Sequence, residues 1–143
     1  MIRCFYLIIL VFIAYYDAKT LEINDKFFTL LSGSIVIWTP SAEIEKNLPA
    51  AAAVWVLFAV SALISVFAGR DAPIGMGDIR ILSVLAASHG GLFTMMVFCA
   101  SGFFSGIFAA VLLLLKKASK DSELPFAPFI AAGYAACLLL SGR

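Results

Sequence analysis

Two aspartates border long apolar stretches of this sequence, where ionisable side chains are uncommon. Asp17 follows the apolar N-terminal run, and Asp78 follows the short segment Gly75-Met76-Gly77. A charged side chain at the centre of a membrane span costs about 2.5–3.5 kcal/mol on insertion scales, so carboxylates in such surroundings are functional candidates by default. Asp17 and Asp78 are therefore the first candidates for a chemical role.

Two carboxyl groups a few ångströms apart can act together on a peptide bond. Because like charges at short distance oppose each other, such a pair shares one proton and titrates as a unit. The ionised member activates a water molecule as a base, and the protonated member polarises the carbonyl and protonates the leaving nitrogen. Asp17 and Asp78 thus fit peptide hydrolysis without a metal ion or a serine or cysteine nucleophile.

The glycines before Asp78 predict an unusual backbone around it. Gly75 and Gly77 can adopt backbone angles that are closed to other residues, and they add no side-chain bulk. An extended partner strand or substrate could then approach this backbone closely. For Asp78 taken alone a structural role also fits, since an aspartate at a helix start accepts hydrogen bonds from free N–H groups as a cap.

The other reactive side chains indicate no second kind of site. Cys4, Cys99 and Cys137 lie far apart in apolar runs without a CxxC pair, so we expect neither a zinc site nor a disulfide framework. His89 is interpreted as a turn or interface residue. A net charge of +1 leaves no basic footprint for nucleic acid. We expect no metal, no cofactor and no nucleic-acid partner.

The composition indicates an integral membrane protein. Of 143 residues, 63% are hydrophobic and 13% are charged, against roughly 25% charged in a soluble domain. Residues 48–68 and 92–115 carry no charge, and each run can cross a hydrocarbon core of about 30 Å. Spanning segments must be helices or a closed barrel, and long unbroken apolar runs exclude the alternation of a barrel.

We predict an all-α polytopic protein of about six transmembrane helices, with residues 1–143 forming a single membrane-embedded domain. The helices are predicted at residues 2–17, 27–40, 48–68, 78–88, 92–115 and 125–141. The fifth contains Gly102 and Gly106 at a spacing that lets helices approach closely. Packing within one subunit and dimerisation both fit this spacing, and the oligomeric state stays open.

The uncharged run 81–115 must be interrupted, because as one helix it would be about 52 Å long. The break is expected either at residues 88–91, Ser-His-Gly-Gly, or at residues 101–102, Ser-Gly. With a break at 88–91 the fourth helix is short, and Asp78 cannot lie far outside the membrane. The preceding glycine segment would then be re-entrant or unwound, which is tolerated where protein or water surrounds it.

Basic residues divide unevenly between the two sides of this topology. Seven lie on the side of the first, third and fifth loops: Lys19, Lys26, Arg70, Arg80, Lys116, Lys117 and Lys120. Three lie on the other side: Arg3, Lys46 and Arg143. The positive-inside rule then makes both termini non-cytoplasmic. It also places Asp17, Asp78 and the segment at 124–129, Leu-Pro-Phe-Ala-Pro-Phe, toward the cytoplasm.

Three segments together resemble the type IV prepilin peptidase family, which are membrane aspartyl proteases with a GxGD motif. In GMGDIRILSVLAA, Gly75, Gly77 and Asp78 fall on invariant positions of the second catalytic segment of that family. Arg80 stands where a lysine is usual. The four-residue motif gains specificity from the two further segments, which occur in order along the chain.

Those two segments flank the GxGD motif. DAKTLEIND resembles the first catalytic segment, in which an aspartate is followed six residues later by an isoleucine, here Asp17 and Ile23; Asn24 stands where a proline is usual. LPFAPFIAAG resembles the closing segment of the family. Pro125 and Pro128 fit the start of a helix there, where proline removes no needed hydrogen bond.

The resemblance implies a reaction. Members of this family cut a short basic leader from prepilin-like precursors at the cytoplasmic face, after a glycine and ahead of the hydrophobic helix. It implies that Asp17 and Asp78 are the catalytic pair and that Gly75, Gly77 and the prolines of the closing segment shape the loops around them. It assigns no substrate-binding residues, no metal and no cofactor.

The resemblance also implies a setting. The partners are prepilin-like membrane-anchored precursors and the lipid bilayer, and the location is the inner (cytoplasmic) membrane of a prokaryote, with the active site toward the cytoplasm. Since the chain has no paired cysteines, we expect no N-terminal methyltransferase or zinc segment. The chain is similar to short, peptidase-only members such as those of Tad/Flp pili.

The alternative from another class is a small ion- or proton-translocating membrane protein that uses Asp17 and Asp78 as relays. The placement of both aspartates toward one face argues against a pathway across the whole bundle. A translocating protein should move a pH or ion gradient in vesicles, whereas a peptidase should shorten a precursor.

Overall fold

The computed structural model describes residues 2–20, 25–67, 75–116 and 124–141. They form six α-helices: α1 (Ile2–Thr20), α2 (Asp25–Trp38), α3 (Ser41–Phe67), α4 (Met76–His89), α5 (Gly91–Leu114) and α6 (Ala127–Ser141). The described ranges contain no strand, which confirms the all-α prediction. Residues 21–24, 69–74 and 117–123, which belong to three of the predicted loops, lie outside these ranges, and with them Ile23 and Asn24 of the first motif.

The largest difference in helix ends is at the start of α3, which begins at Ser41 rather than at residue 48. The carbonyl of Pro40 accepts hydrogen bonds from the N–H groups of Glu43 and Ile44. These bonds form the first turn of α3. Glu43 lies in the first turn, where the helix dipole favours a negative charge. The charged residues that suggested a loop therefore belong to the first turns of α3.

The uncharged run breaks at Gly90, within the first of the two predicted positions. Gly90 has φ 85° and ψ 160°, a conformation that side chains disfavour and glycine accepts. Its N–H donates to the carbonyl of Ala86 at 3.0 Å, which closes α4. The alternative at residues 101–102 is wrong, because both lie inside α5.

The helices form two compact units. Residues 28–94 make one unit, in which α3 packs along α4, and residues 1–27 with 95–143 make the other, in which α1 packs along α6. Ten of the fourteen residues of α4 are buried, and residues 81–88 are buried without interruption, so buried positions lie on all sides of this helix. That residues 1–143 act as a single domain stays a prediction.

In the part of the chain that the structure describes, two helices, α3 and α5, are long and apolar enough to cross a membrane by length and composition. Only 18% of the apolar window of α3 and 11% of that of α5 is buried, whereas the core helix of a soluble protein is mostly buried. Side chains such as Leu63, Phe67 and Phe103 are exposed along them. These surfaces fit a lipid environment; six spans and the sides of the termini stay predictions.

α5 and α6 approach each other closely at Gly133. A Cβ there would lie 2.5 Å from Ser101 Oγ, 2.8 Å from the Val97 carbonyl oxygen and 3.0 Å from the Ser101 nitrogen. At Gly102 and Gly106, by contrast, a Cβ would meet no heavy atom of the described residues within 4 Å. The Gly-xxx-Gly spacing of α5 therefore has no such contact within the described part of the chain.

We expect Gly133→Ala to destabilise the protein. Overpacking of this kind costs about 1–3 kcal/mol, and two of the three opposing atoms belong to the backbone and cannot rotate away. The helix-propensity gain of alanine, about 1 kcal/mol, offsets part of this. Gly102→Ala is the matched control and should leave the thermal unfolding midpoint in detergent unchanged or higher. Equal midpoints for the two variants would contradict the close approach.

Candidate active site

Asp17 ends the buried stripe of α1. Tyr6, Leu10, Ile13 and Asp17 are all buried, and their spacings of three and four residues place them on one helix face. This face packs along α6. The carboxyl group of Asp17 is thereby directed into protein, although it lies close to the end of α1 at Thr20.

The hydrogen-bond partner of Asp17 is the first residue of α6. The Ala127 N–H donates to Asp17 Oδ2 at 3.0 Å, and the bond is buried. Because the carbonyl of Phe126 accepts from the N–H groups of Phe129 and Ile130, Phe126 is the N-terminal cap residue of α6. Asp17 thus satisfies one of the N–H groups that every helix start leaves open.

Each residue type of the closing motif has a visible role at this helix start. Pro128 occupies the second position of α6 and brings no N–H that would need an acceptor, and Pro125 precedes the helix. The Phe126 ring packs edge-on against Phe98 at 6.4 Å between centroids, and the Phe129 ring lies 5.5 Å from Phe108. These aromatic contacts hold the start of α6 against α5, in the position in which the Ala127 N–H donates to Asp17.

Asp78 lies in the first turn of α4 and is buried, with 8% of its surface exposed. Its N–H and that of Ile79 donate to the Gly75 carbonyl at 3.1 and 3.2 Å. Gly75 is therefore the cap residue, and Asp78 is the third residue of the helix rather than its cap. The open N–H groups and the dipole at a helix start stabilise a negative charge in this position.

The backbone expectation for the glycine motif is wrong. Gly75 has φ −65° and ψ 146°, which other residues adopt readily, and Met76 and Gly77 belong to the first turn of α4 rather than to an unwound stretch. What glycine provides at position 75 is space, because a Cβ there would lie 3.3 Å from Asp78 Oδ2. Gly75 therefore leaves the space next to Asp78 Oδ2 free of a side chain.

We expect Gly75→Ala to slow cleavage without unfolding the protein. The added Cβ has to displace the Asp78 carboxylate by a few tenths of an ångström, while the backbone angles need no change. Since a misplacement of about 1 Å can cost about 10²-fold in rate, a loss of about three- to tenfold is expected here.

The matched control is Gly33→Ala in α2, where a Cβ would lie more than 4 Å from every heavy atom of the described residues that it could newly contact. Cleavage rates and thermal midpoints of both variants check the prediction. A Gly75→Ala enzyme with the full rate would show that the space beside Asp78 is not needed.

The structure brings together two sets of the predicted residues. Asp17 meets the helix start that follows Pro125, and Gly75 lies beside Asp78. The two aspartates belong to different compact units, and their pairing stays a prediction. The Ala127 N–H is a functional group that the sequence did not indicate, since a backbone donor carries no residue-type signal.

Two other features bear on the predicted chemistry. His89 is the last residue of α4; its Nδ1 lies 2.7 Å from Ser88 Oγ, and the imidazole stacks on Phe93 with 5.3 Å between ring centroids. Within the described residues, no group of three or more His, Cys, Asp or Glu side chains is arranged to hold a metal ion.

Comparison with known proteins adds a family to this geometry. No solved structure matches the chain. Leader peptidase HopD of Escherichia coli is 40% identical over 60 residues, which cover 41% of this chain and 39% of that relative. Residues 4–111 match the type IV leader peptidase family, a span that includes Asp17, both glycines of the GMG segment and Asp78. The chain therefore belongs to the type IV leader peptidase family.

Proposed function

We propose that this chain is an aspartic endopeptidase that removes the short basic leader of type IV prepilin-like precursors, cutting after a glycine at the cytoplasmic face. Membership of the leader peptidase family supports the reaction. The observation that carries the aspartic mechanism is the burial of both motif carboxyl groups, with Asp17 6% and Asp78 8% exposed. Withdrawing a carboxylate from water is costly, and such groups concentrate at functional sites.

The proposed reaction uses one ionised and one protonated carboxyl group. The ionised group takes a proton from a water molecule, whose oxygen forms a bond to the scissile carbonyl carbon. The protonated group donates a hydrogen bond to the carbonyl oxygen, where negative charge develops, and a proton then reaches the leaving nitrogen. The C–N bond breaks, and the products are a leader with a C-terminal carboxyl group and a mature chain with a free amine.

The surroundings of both groups support this assignment electrostatically. Asp17 lies at the start of α6 and Asp78 at the start of α4, and helix N-termini stabilise negative charge. One proton shared between two such groups keeps one of them ionised without a metal ion or another cofactor. The bond from Ala127 also fixes the orientation of the Asp17 carboxylate, as a general base requires.

The proposed setting is the inner membrane of a prokaryote, with residues 1–143 acting as a single peptidase domain. α4 has 14 residues and is about 21 Å long, which is shorter than a hydrocarbon core of about 30 Å. An embedded α4 therefore cannot place Asp78 far outside the membrane. A membrane-anchored precursor presents its cleavage point at the same depth.

Co-expression with a set of small prepilin-like precursors tests the proposal. We expect a shortened product on gels, and N-terminal sequencing should place the cut after a glycine. Purified protein in vesicles should hold an imposed pH gradient as empty vesicles do. A dissipated gradient together with uncut precursors would favour the ion-translocating alternative and overturn the peptidase proposal.

A further inference from the structure

A groove of about 320 Å³ lies within the unit of residues 28–94, lined by side chains of α2, α3 and α4. α4 contributes positions from Arg80 to Ala87 and α3 contributes positions from Leu48 to Trp55. In both helices these positions are spaced by three, four and seven residues, which describes one face of a helix. The groove is therefore about two turns, or roughly 10 Å, long.

The groove is apolar with one basic end. Ser83 lines it but donates its hydroxyl to the Ile79 carbonyl at 2.8 Å, so its polar group is satisfied within α4. Arg80 is the charged residue of the lining, and its guanidinium carbon lies 5.6 Å from the centroid of the Phe28 ring. A ligand that fits here combines an apolar chain with an anionic head.

The groove faces away from the candidate catalytic group. Consecutive residues of an α-helix are about 100° apart, so Arg80 lies about 200° around α4 from Asp78. Arg80 and Ala87, by contrast, are seven residues apart and share one face. A peptide held for cleavage beside Asp78 would approach the opposite side of α4, which argues for a different ligand in the groove.

We propose that this groove binds one anionic phospholipid, with an acyl chain between α3 and α4 and the phosphate on Arg80. The planar guanidinium presents five N–H donors, enough for a bidentate phosphate contact in addition to its other contacts. Basic pockets between membrane helices bind anionic headgroups in this way. Arg80 lies about one turn from the start of α4 at Met76, the end of the helix at which a headgroup would lie.

Trp55 provides a direct probe of occupancy, because it lines the groove and is 41% exposed. The chain has two tryptophans, so Trp38→Phe leaves Trp55 as the single fluorophore. This protein is reconstituted in phosphatidylcholine vesicles that contain equal fractions of brominated phosphatidylglycerol or brominated phosphatidylcholine. We expect an about fivefold higher quenching-derived association constant for phosphatidylglycerol, the size typical of one basic residue near an anionic headgroup.

Two variants on the Trp38→Phe background locate the two halves of the ligand. Arg80→Gln should abolish the preference for phosphatidylglycerol. Lys46→Gln removes an exposed charge outside the groove and should leave the preference unchanged. Ala52→Phe fills the groove and should lower quenching by both lipids, whereas Ala53→Phe, an exposed neighbour outside the lining, should not.

Equal quenching by the two brominated lipids, or a preference that survives Arg80→Gln, would overturn the proposal. Suppose that the two brominated lipids quench Trp55 equally and that an added apolar helical peptide removes the quenching by both. This result would assign the groove to a peptide instead. Neither readout depends on proteolysis, so failure here is separable from failure of the peptidase proposal.

Discussion

Asp78→Asn is expected to abolish precursor cleavage, with a loss of at least about 10²–10⁴-fold, the range that one acid–base group contributes. Asparagine has nearly the same shape but cannot exchange a proton with water or with the leaving nitrogen. Asp78 is buried in the first turn of α4. Cleavage is followed by gel shift with the purified enzyme and a precursor.

The fold should survive this change, since a buried carboxyl group becomes a neutral amide of similar volume. Thermal unfolding in detergent checks this, with a midpoint expected within a few degrees of the unmodified protein. Glu45→Gln is the matched control, because it makes the same chemical change at an exposed position of α3 and should cleave at the full rate. A fully active Asp78→Asn enzyme would remove Asp78 from the chemistry.

The helices and the need for a break in the uncharged run could be predicted because they depend on local properties of the sequence, whereas the structure was needed to choose Gly90 over residues 101–102. Apolar runs have to be helical in lipid, and an uncharged run of 35 residues has to be interrupted. The predicted start of α3 at residue 48 is wrong because the charged residues before it suggest a loop. In the structure, Glu43 lies in the first turn of the helix, where a negative charge is stabilising. Residue types indicate polarity more directly than they indicate helix ends.

The candidate site could be predicted only as a set of residues. The bond between Asp17 and the Ala127 N–H joins positions 110 residues apart, and a backbone donor has no signature in the sequence. The sequence suggested unusual backbone angles at Gly75, which the structure does not have, for a related reason. A glycine in a sequence can indicate either unusual backbone angles or the need for a small side chain. Only the distance from a Cβ built at Gly75 to Asp78 Oδ2 shows that the small side chain matters here.

Asp17→Asn and Asp17→Ala together should separate the chemistry of Asp17 from its structural role. Asparagine keeps an oxygen that can accept from the Ala127 N–H, whereas alanine leaves this buried donor without its acceptor. We expect both variants to lose cleavage by about 10²–10⁴-fold. Only Asp17→Ala should also be destabilised, by about 1–3 kcal/mol, because an unsatisfied buried donor carries its full desolvation cost.

A purely structural Asp17 would give a different pattern in the same two measurements. If its role were only to hold the start of α6, then Asp17→Asn would keep both the bond to Ala127 and the cleavage rate. That result would leave Asp78 in place and move the search for the second acid to Asp25 and Asp71, the neighbouring carboxylates in the sequence. Loss of cleavage in Asp17→Asn at unchanged stability would assign the loss to the acid–base chemistry of the Asp17 carboxyl group, because the amide keeps the contact with Ala127 and lacks only that chemistry.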